Sequence, residues 1–259
     1  MSDATNPYAV PTSQLQDAPT GAQAPSVEQA LSRGYDFTIG GLLSEAWQLT
    51  KGTKGIIIGG FLIFYVAILV ASFVVGAALG IFSLFSDSLV LIIIGQLLTT
   101  IIASAVSYPF FAGLNMIGIR RAAGQPFSFN EIFSHFGSIV PLLIAAVLMM
   151  VLIYLGMILL LIPGIYLAVA YMLAIPLIVE RGLSPWQAME ASRKAITQHW
   201  FKVFGLFLLL GLIVSISAIP LGIGLIWTIP LFVMVMGVLY RTILSLIHIS
   251  EPTRRYAIS

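Results

Sequence analysis

Four stretches of this chain carry no charged side chain: Gly55 to Ser86, Ser88 to Ile119, Phe136 to Val179 and Val203 to Tyr240, of 32, 32, 44 and 38 residues. No water-facing domain tolerates such runs. A helix rises about 1.5 Å per residue and a bilayer core is about 30 Å thick, so the first two runs each supply one long or tilted span. As a single helix the third would reach roughly 66 Å, more than twice what a span needs. Pro163-Gly164 offers a turn inside it, and Pro220-Leu221-Gly222 offers one inside the fourth. Six transmembrane helices follow, near residues 56–83, 90–118, 138–161, 164–180, 202–219 and 222–243. Composition agrees: 59% of residues are hydrophobic and 8% charged, against about 25% charged in soluble domains. The fold class is therefore an all-α polytopic membrane protein with its membrane domain over residues 37–243.

The few charges orient it. All twelve Lys and Arg fall on one side of the six-span arrangement. Arg33, Lys51 and Lys54 precede span one, and Arg120 and Arg121 follow span two. Arg181, Arg193, Lys194 and Lys202 lie between spans four and five, and Arg241, Arg254 and Arg255 follow span six. The turns on the other side hold a single charge, Asp87. The positive-inside rule then places both termini in the cytoplasm. Residues 1–36, rich in Pro, Ala, Gln, Ser and Thr, are expected to be a disordered cytoplasmic tail. They lack the apolar core of a cleavable signal, so the first span is expected to act as an uncleaved anchor. Leu244 to Ser259 reads Leu-Ser-Leu-Ile-His-Ile-Ser-Glu-Pro-Thr-Arg and onward, which resembles the translation of a sequencing adapter. It is set aside as an artefact foreign to the fold.

A repeat is visible between the spans. Thr38, Ser128 and Ser184 each stand at an N-cap position before an amphipathic segment. Ser128 with Glu131, and Ser184 with Gln187, have capping-box spacing. Ile39, Leu42, Leu43 and Ala46 share one helical face; so do Phe129, Ile132, Phe133 and Phe136; so do Ala188, Met189, Ala195, Ile196 and Trp200. Each segment precedes a hairpin whose second span holds a proline: Pro109, Pro176 and Pro230. The unit is an interfacial amphipathic helix plus a helical hairpin, three times over. The third amphipathic helix is expected to lie flat on the cytoplasmic leaflet, with Met189, Ile196 and Trp200 in the acyl boundary; the alternative is that the same arc packs against the bundle.

No chemistry is announced. Cysteine is absent, and neither a phosphate loop, a zinc helix nor a nucleophile elbow is present. No cofactor, metal, catalytic residue or nucleic-acid partner is expected, and the chain is not expected to be an enzyme. Two sets of residues stand out. Arg181, Arg193, Lys194 and Lys202, interleaved with Trp186 and Trp200, suit contact with anionic lipid headgroups. Gln96, Thr100, Ser107 and Asn115 give span two a polar row, suited to interhelical hydrogen bonding or to lining a path for a polar solute. Gly76-x-x-x-Gly80 suits close helix packing, within the bundle or between chains.

Leu161-Ile162-Pro163-Gly164-Ile165-Tyr166, Ala174-Ile175-Pro176-Leu177-Ile178-Val179, Leu183-Ser184-Pro185-Trp186-Gln187-Ala188-Met189-Glu190-Ala191-Ser192 and His199-Trp200 together resemble the YciC-like bacterial inner-membrane proteins. They are also similar to the membrane domain joined to some glycerophosphodiester phosphodiesterases. The resemblance spans about Phe136 to Arg241, more weakly back to Phe37. It implies a multi-pass protein of the bacterial inner membrane. The acidic metal-binding residues of the phosphodiesterases have no counterpart here, so that activity does not transfer. Two readings follow. The first is a non-catalytic membrane protein that organises lipids or partner proteins at the cytoplasmic face. The alternative is a transporter or permease subunit for a small or lipophilic molecule. Membrane lipids, and other membrane proteins, are the expected partners; the oligomeric state is open.

Overall fold

The computed structural model describes residues 27–83 and 88–244. Among them every regular element is helical. Two short helices open the chain, α1 (Val27–Arg33) and α2 (Ile39–Leu49). The long pair α3 (Lys54–Ser83) and α4 (Leu89–Ala122) follows. A 3₁₀ helix, Phe129–Ser138, leads into α5 (Ile139–Leu159). Then come α6 (Leu161–Ala170), α7 (Ala174–Arg181), α8 (Pro185–Thr197), α9 (Trp200–Ala218) and α10 (Leu225–Leu244). Six helical segments are long and apolar enough to cross a membrane: Lys54–Ile81, Ile92–Ala122, Phe129–Leu159, Leu161–Arg181, Trp200–Ala218 and Leu225–Leu244. The six expected apolar helices are therefore present, with ends shifted by a few residues.

Helix α10 is the hub. In its most apolar window 67% of residues are buried inside the protein, against 11% in α3, which faces outward for most of its length. The contact of α10 with α4 is backbone against backbone. A Cβ at Gly237 would stand 2.1 Å from the Gly118 carbonyl oxygen, and one at Gly118 would stand 2.3 Å from that of Val233. Only glycine fits this crossing, the small-residue device membrane bundles use in place of a hydrophobic driving force.

Cations close the helix ends that meet near α10's C-terminus. Arg121 donates to the Leu49 and Lys51 carbonyls at 3.3 and 3.0 Å. Arg241 donates to the Ala122 carbonyl at 2.7 Å and to Glu45 at 2.6 Å. Carbonyls at helix C-termini lack intrahelical donors, and a guanidinium satisfies them with favourable dipole alignment. Tyr240 donates to Glu180 at 2.7 Å beside them.

Four expectations need correction. Within the expected tail, Val27–Arg33 forms α1, which tucks Val27 and Ala30, 8% and 3% exposed, against the bundle. Two small apolar residues one turn apart in a polar segment suffice because α8 and α10 complete the contact. The second amphipathic segment is a 3₁₀ helix rather than an α-helix, and Ser128 makes no side-chain cap. Glu131, expected to close a capping box with Ser128, is buried, with Arg120 at 3.2 Å and His135 at 3.4 Å. It neutralises Arg120 there instead of closing a capping box. The hairpin of the third run turns at Leu160, whose backbone is extended, and Pro163 sits in the first turn of α6, where its missing N–H costs nothing. Gly156 and Gly164 allow the turn, since a Cβ on Gly156 would lie 2.9 Å from the Gly164 nitrogen. Finally, the fourth span breaks between α6 and α7, so Pro176 falls in the first turn of α7 rather than inside a continuous helix. The turn at Pro220-Leu221-Gly222 is as expected, with Leu221 and Gly222 at φ 53° and 77°. Residues 1–26, Asp87 and residues 245–259 lie outside the described residues.

Candidate functional site

Helix α8 is held at its start as its sequence dictates: the Ser184 N–H donates to Gln187 Oε1 at 3.2 Å, and Pro185 takes the first helical position. Its apolar arc does not enter lipid. Ala188, Met189, Ala195 and Ile196 are at most 1% exposed and pack within the protein, so the expected insertion of Met189 and Ile196 in the acyl boundary is corrected in favour of packing against the bundle. Ser192, on the same arc, reaches the break between α6 and α7. Its hydroxyl donates to the Ala170 carbonyl at 2.6 Å and accepts from the Leu173 N–H at 3.1 Å. A buried helix break leaves backbone groups that must find partners; here α8 supplies them.

The four cations expected at lipid headgroups are dispersed. The Arg181 side chain is 13% exposed and turns inward onto Glu180. Arg193 grips Glu190 through two bonds, at 2.9 and 2.7 Å, and Lys194 approaches the same carboxylate at 3.5 Å. The Arg193 hydrogen bond holds the Glu190 carboxyl below the usual carboxylate range, and Glu190 in turn raises Arg193. Lys202 lies apart, paired with Asp36 at 2.5 Å. That hydrogen bond, together with one from the Phe37 N–H, holds Asp36 below its ordinary value.

Lys202 borders a groove of about 1010 Å³ between α6 and the junction of α8 with α9. Its walls are apolar: Ile162, Pro163 and Ile165 on one side, Phe201 and Phe204 on the other. Thr197, Gln198, His199 and Lys202 make one end polar. Tyr166 joins the walls, its hydroxyl 2.6 Å from Thr197 Oγ1 and its carbonyl accepting from Trp200 Nε1 at 3.2 Å. Ile162 and Phe201, 78% and 83% exposed, form lips. The N-terminal segment fixes the polar end as a strap: Gln198 donates to the Leu31 carbonyl at 2.9 Å, and Tyr35 donates to that of Ala195 at 3.1 Å. The Tyr35 ring meets His199 edge-on at 5.0 Å, and burial pushes the Tyr35 phenol up to about 12.

The polar row of α4 divides. Gln96, Thr99, Thr100, Ser104 and Ser107 border one cavity of about 460 Å³, whereas Asn115 borders another, of about 170 Å³, beside Phe61 and Val214. These two cavities share only Phe111. Thr99 and Thr100 spend their hydroxyls on the carbonyls one turn back, at 2.9 Å each, rather than on a neighbouring helix. An added Cβ at Gly76 meets nothing within 4 Å, so that glycine is not pressed against a neighbouring helix. Among the described residues no three or more His, Asp and Glu side chains come together as metal ligands do.

No family model, curated protein or solved structure matches the chain. The sequence reading missed the groove and its strap. Its walls lie some 35 residues apart in sequence, and no periodicity links them; the adjacent large apolar pair Trp200-Phe201 at the head of a span was the one available signal.

Proposed function

We propose that this is a non-catalytic protein of the bacterial inner membrane, with both described termini cytoplasmic, that holds an anionic phospholipid in the α6–α9 groove. By doing so it organises lipid at the cytoplasmic face. The observation that carries the reading is the groove itself, mostly apolar in its lining but bordered also by Lys202, His199, Gln198 and Thr197. That is the shape of an amphiphile: acyl chain along Ile162, Ile165, Phe201 and Phe204, phosphate near Lys202 and His199. Lys202 is available, because its partner Asp36 is largely exposed and such pairs are weak. Tyr166 and Trp200 add the amphipathic aromatics favoured at headgroup depth. The resemblance to YciC-like proteins supports the inner membrane as its place, and the one-sided Lys and Arg support the orientation. A transporter reading is less favoured, since the polar row of α4 and Asn115 open into separate cavities.

Native mass spectrometry of the full chain with added phosphatidylglycerol or phosphatidylcholine tests this. Preferential retention of phosphatidylglycerol is expected, weakened by Lys202→Glu and by Ile165→Trp, which fills the groove. Equal retention of both lipids, or indifference to both substitutions, would refute it.

A further inference from the structure

The geometry points to a second copy of this chain as the partner of the polar face of α4, forming a parallel two-fold dimer. This face lies away from the α6–α9 groove and does not depend on the lipid reading. Every residue bordering the 460 Å³ cavity, from Gln96 to Phe111, belongs to α4. A concavity walled by one helix is half a site. The Gln96, Ser104 and Ser107 side chains have no hydrogen-bond partner among the described residues, and they sit between apolar side chains such as Leu97 and Ile101, which are 58% and 53% exposed. Polar groups facing lipid are costly, and another polar surface relieves that cost.

The neighbouring helix leaves room on the same side. Helix α3 meets α4 through Leu79, whose Cδ2 would lie 2.5 Å from a Cβ on Gly95. At about 100° per residue, Gly76 lies about 60° round from Leu79 on α3, while Gln96 lies about 100° and Ser107 about 120° round from Gly95 on α4. The helices are antiparallel, so rotations of the same sense point to the same side of the pair. Space above Gly76 is open, and an approaching helix finds a low wall beside a polar one.

A second copy fits this face better than an unlike partner. Two chains inserted the same way round are related by an axis along the membrane normal, which brings each residue to its own counterpart. A glutamine amide both donates and accepts, and so does a serine hydroxyl, so Gln96 and Ser107 can each pair with themselves. A row of like charges could not.

The chain has no cysteine, so single cysteines report cleanly. In native membranes under mild oxidation, Thr100→Cys and Ser107→Cys are expected to form disulfide-linked dimers. Leu98→Cys, at the same depth as Thr100 but about 180° round from Ser107, is expected to stay monomeric. As a measurement on unaltered contacts, the wild-type chain carrying one dye is diluted into lipid bilayers and counted by photobleaching. Two-step traces are expected, and Gln96→Leu should raise the dissociation constant about threefold to tenfold. Single-step traces for the wild-type chain, equal cross-linking at Leu98, or cross-linking only to a different protein would each overturn the proposal.

Discussion

Replacing Ser192 with alanine removes one hydroxyl and strands two backbone groups. Ser192 is fully buried, and its oxygen is the partner of both the Ala170 carbonyl and the Leu173 N–H across the α6–α7 break. A buried polar group left unsatisfied costs about 1–3 kcal/mol. With partial relaxation the pair should cost about 2–4 kcal/mol, and a chain of this length loses about 2–4 °C of Tm per kcal/mol. Ser192→Ala is therefore expected to melt roughly 4–16 °C below wild type in a detergent thermal-shift assay. Ser134→Ala, at an exposed serine bonded only within its own 3₁₀ turn, is the control and should stay close to wild type. A Ser192→Ala variant that melts with the control would mean that α8 does not stabilise the break, and that its packing rests on the apolar arc alone.

Three further outcomes follow from the same structure. Gly237→Val should sharply reduce folded yield, because even a Cβ would overlap the Gly118 carbonyl; overpacking costs about 1–3 kcal/mol and more where backbone blocks relaxation, and size-exclusion recovery reads it. The strap should loosen in acid. Asp36 is held below the ordinary carboxylate range by Lys202, so the clasp stabilises the fold above the unfolded pKa of about 3.9 and is lost as pH falls through the lower folded value. Protease sensitivity of the strap should rise across that window, and Lys202→Ala should weaken the dependence, leaving only the part due to the Phe37 N–H. Reporters fused after residues 124 and 182 should read cytoplasmic; a periplasmic signal at 182 would remove the orientation on which the lipid reading depends.

How much of this was legible in the sequence depended on the kind of interaction. The six apolar helices were readable because lipid imposes a length and a composition that one segment satisfies by itself. The turn at Leu221-Gly222 was readable because its residues announce a local break. Helix α8 shows the limit. Its amphipathic spacing is the same whether Met189 and Ile196 enter acyl chains or protein, and only the position of α6 and α7 decides. Ser192 gave no sign of its role, since its two partners lie 19 and 22 residues away at a break that propensity did not mark. Glu131 was read from its spacing as a capping-box partner, and its burial depends on Arg120 from another element. Asn115 was grouped with Gln96 by sequence proximity, but it lies beyond Pro109, where α4 is enclosed by α3, α9 and α10. The strap rests on contacts between residues some 160 or more positions apart.

The most direct measurement is the site of attachment of a photoactivatable anionic phospholipid in membranes holding the full chain. If the groove holds the lipid, cross-linked peptides will concentrate on its two walls, Ile162 to Tyr166 and Phe201 to Phe204, and the labelling will fall when Lys202 is changed to Glu. Labelling spread evenly over the outward faces of α3 and α5, unchanged by that substitution, would contradict the account.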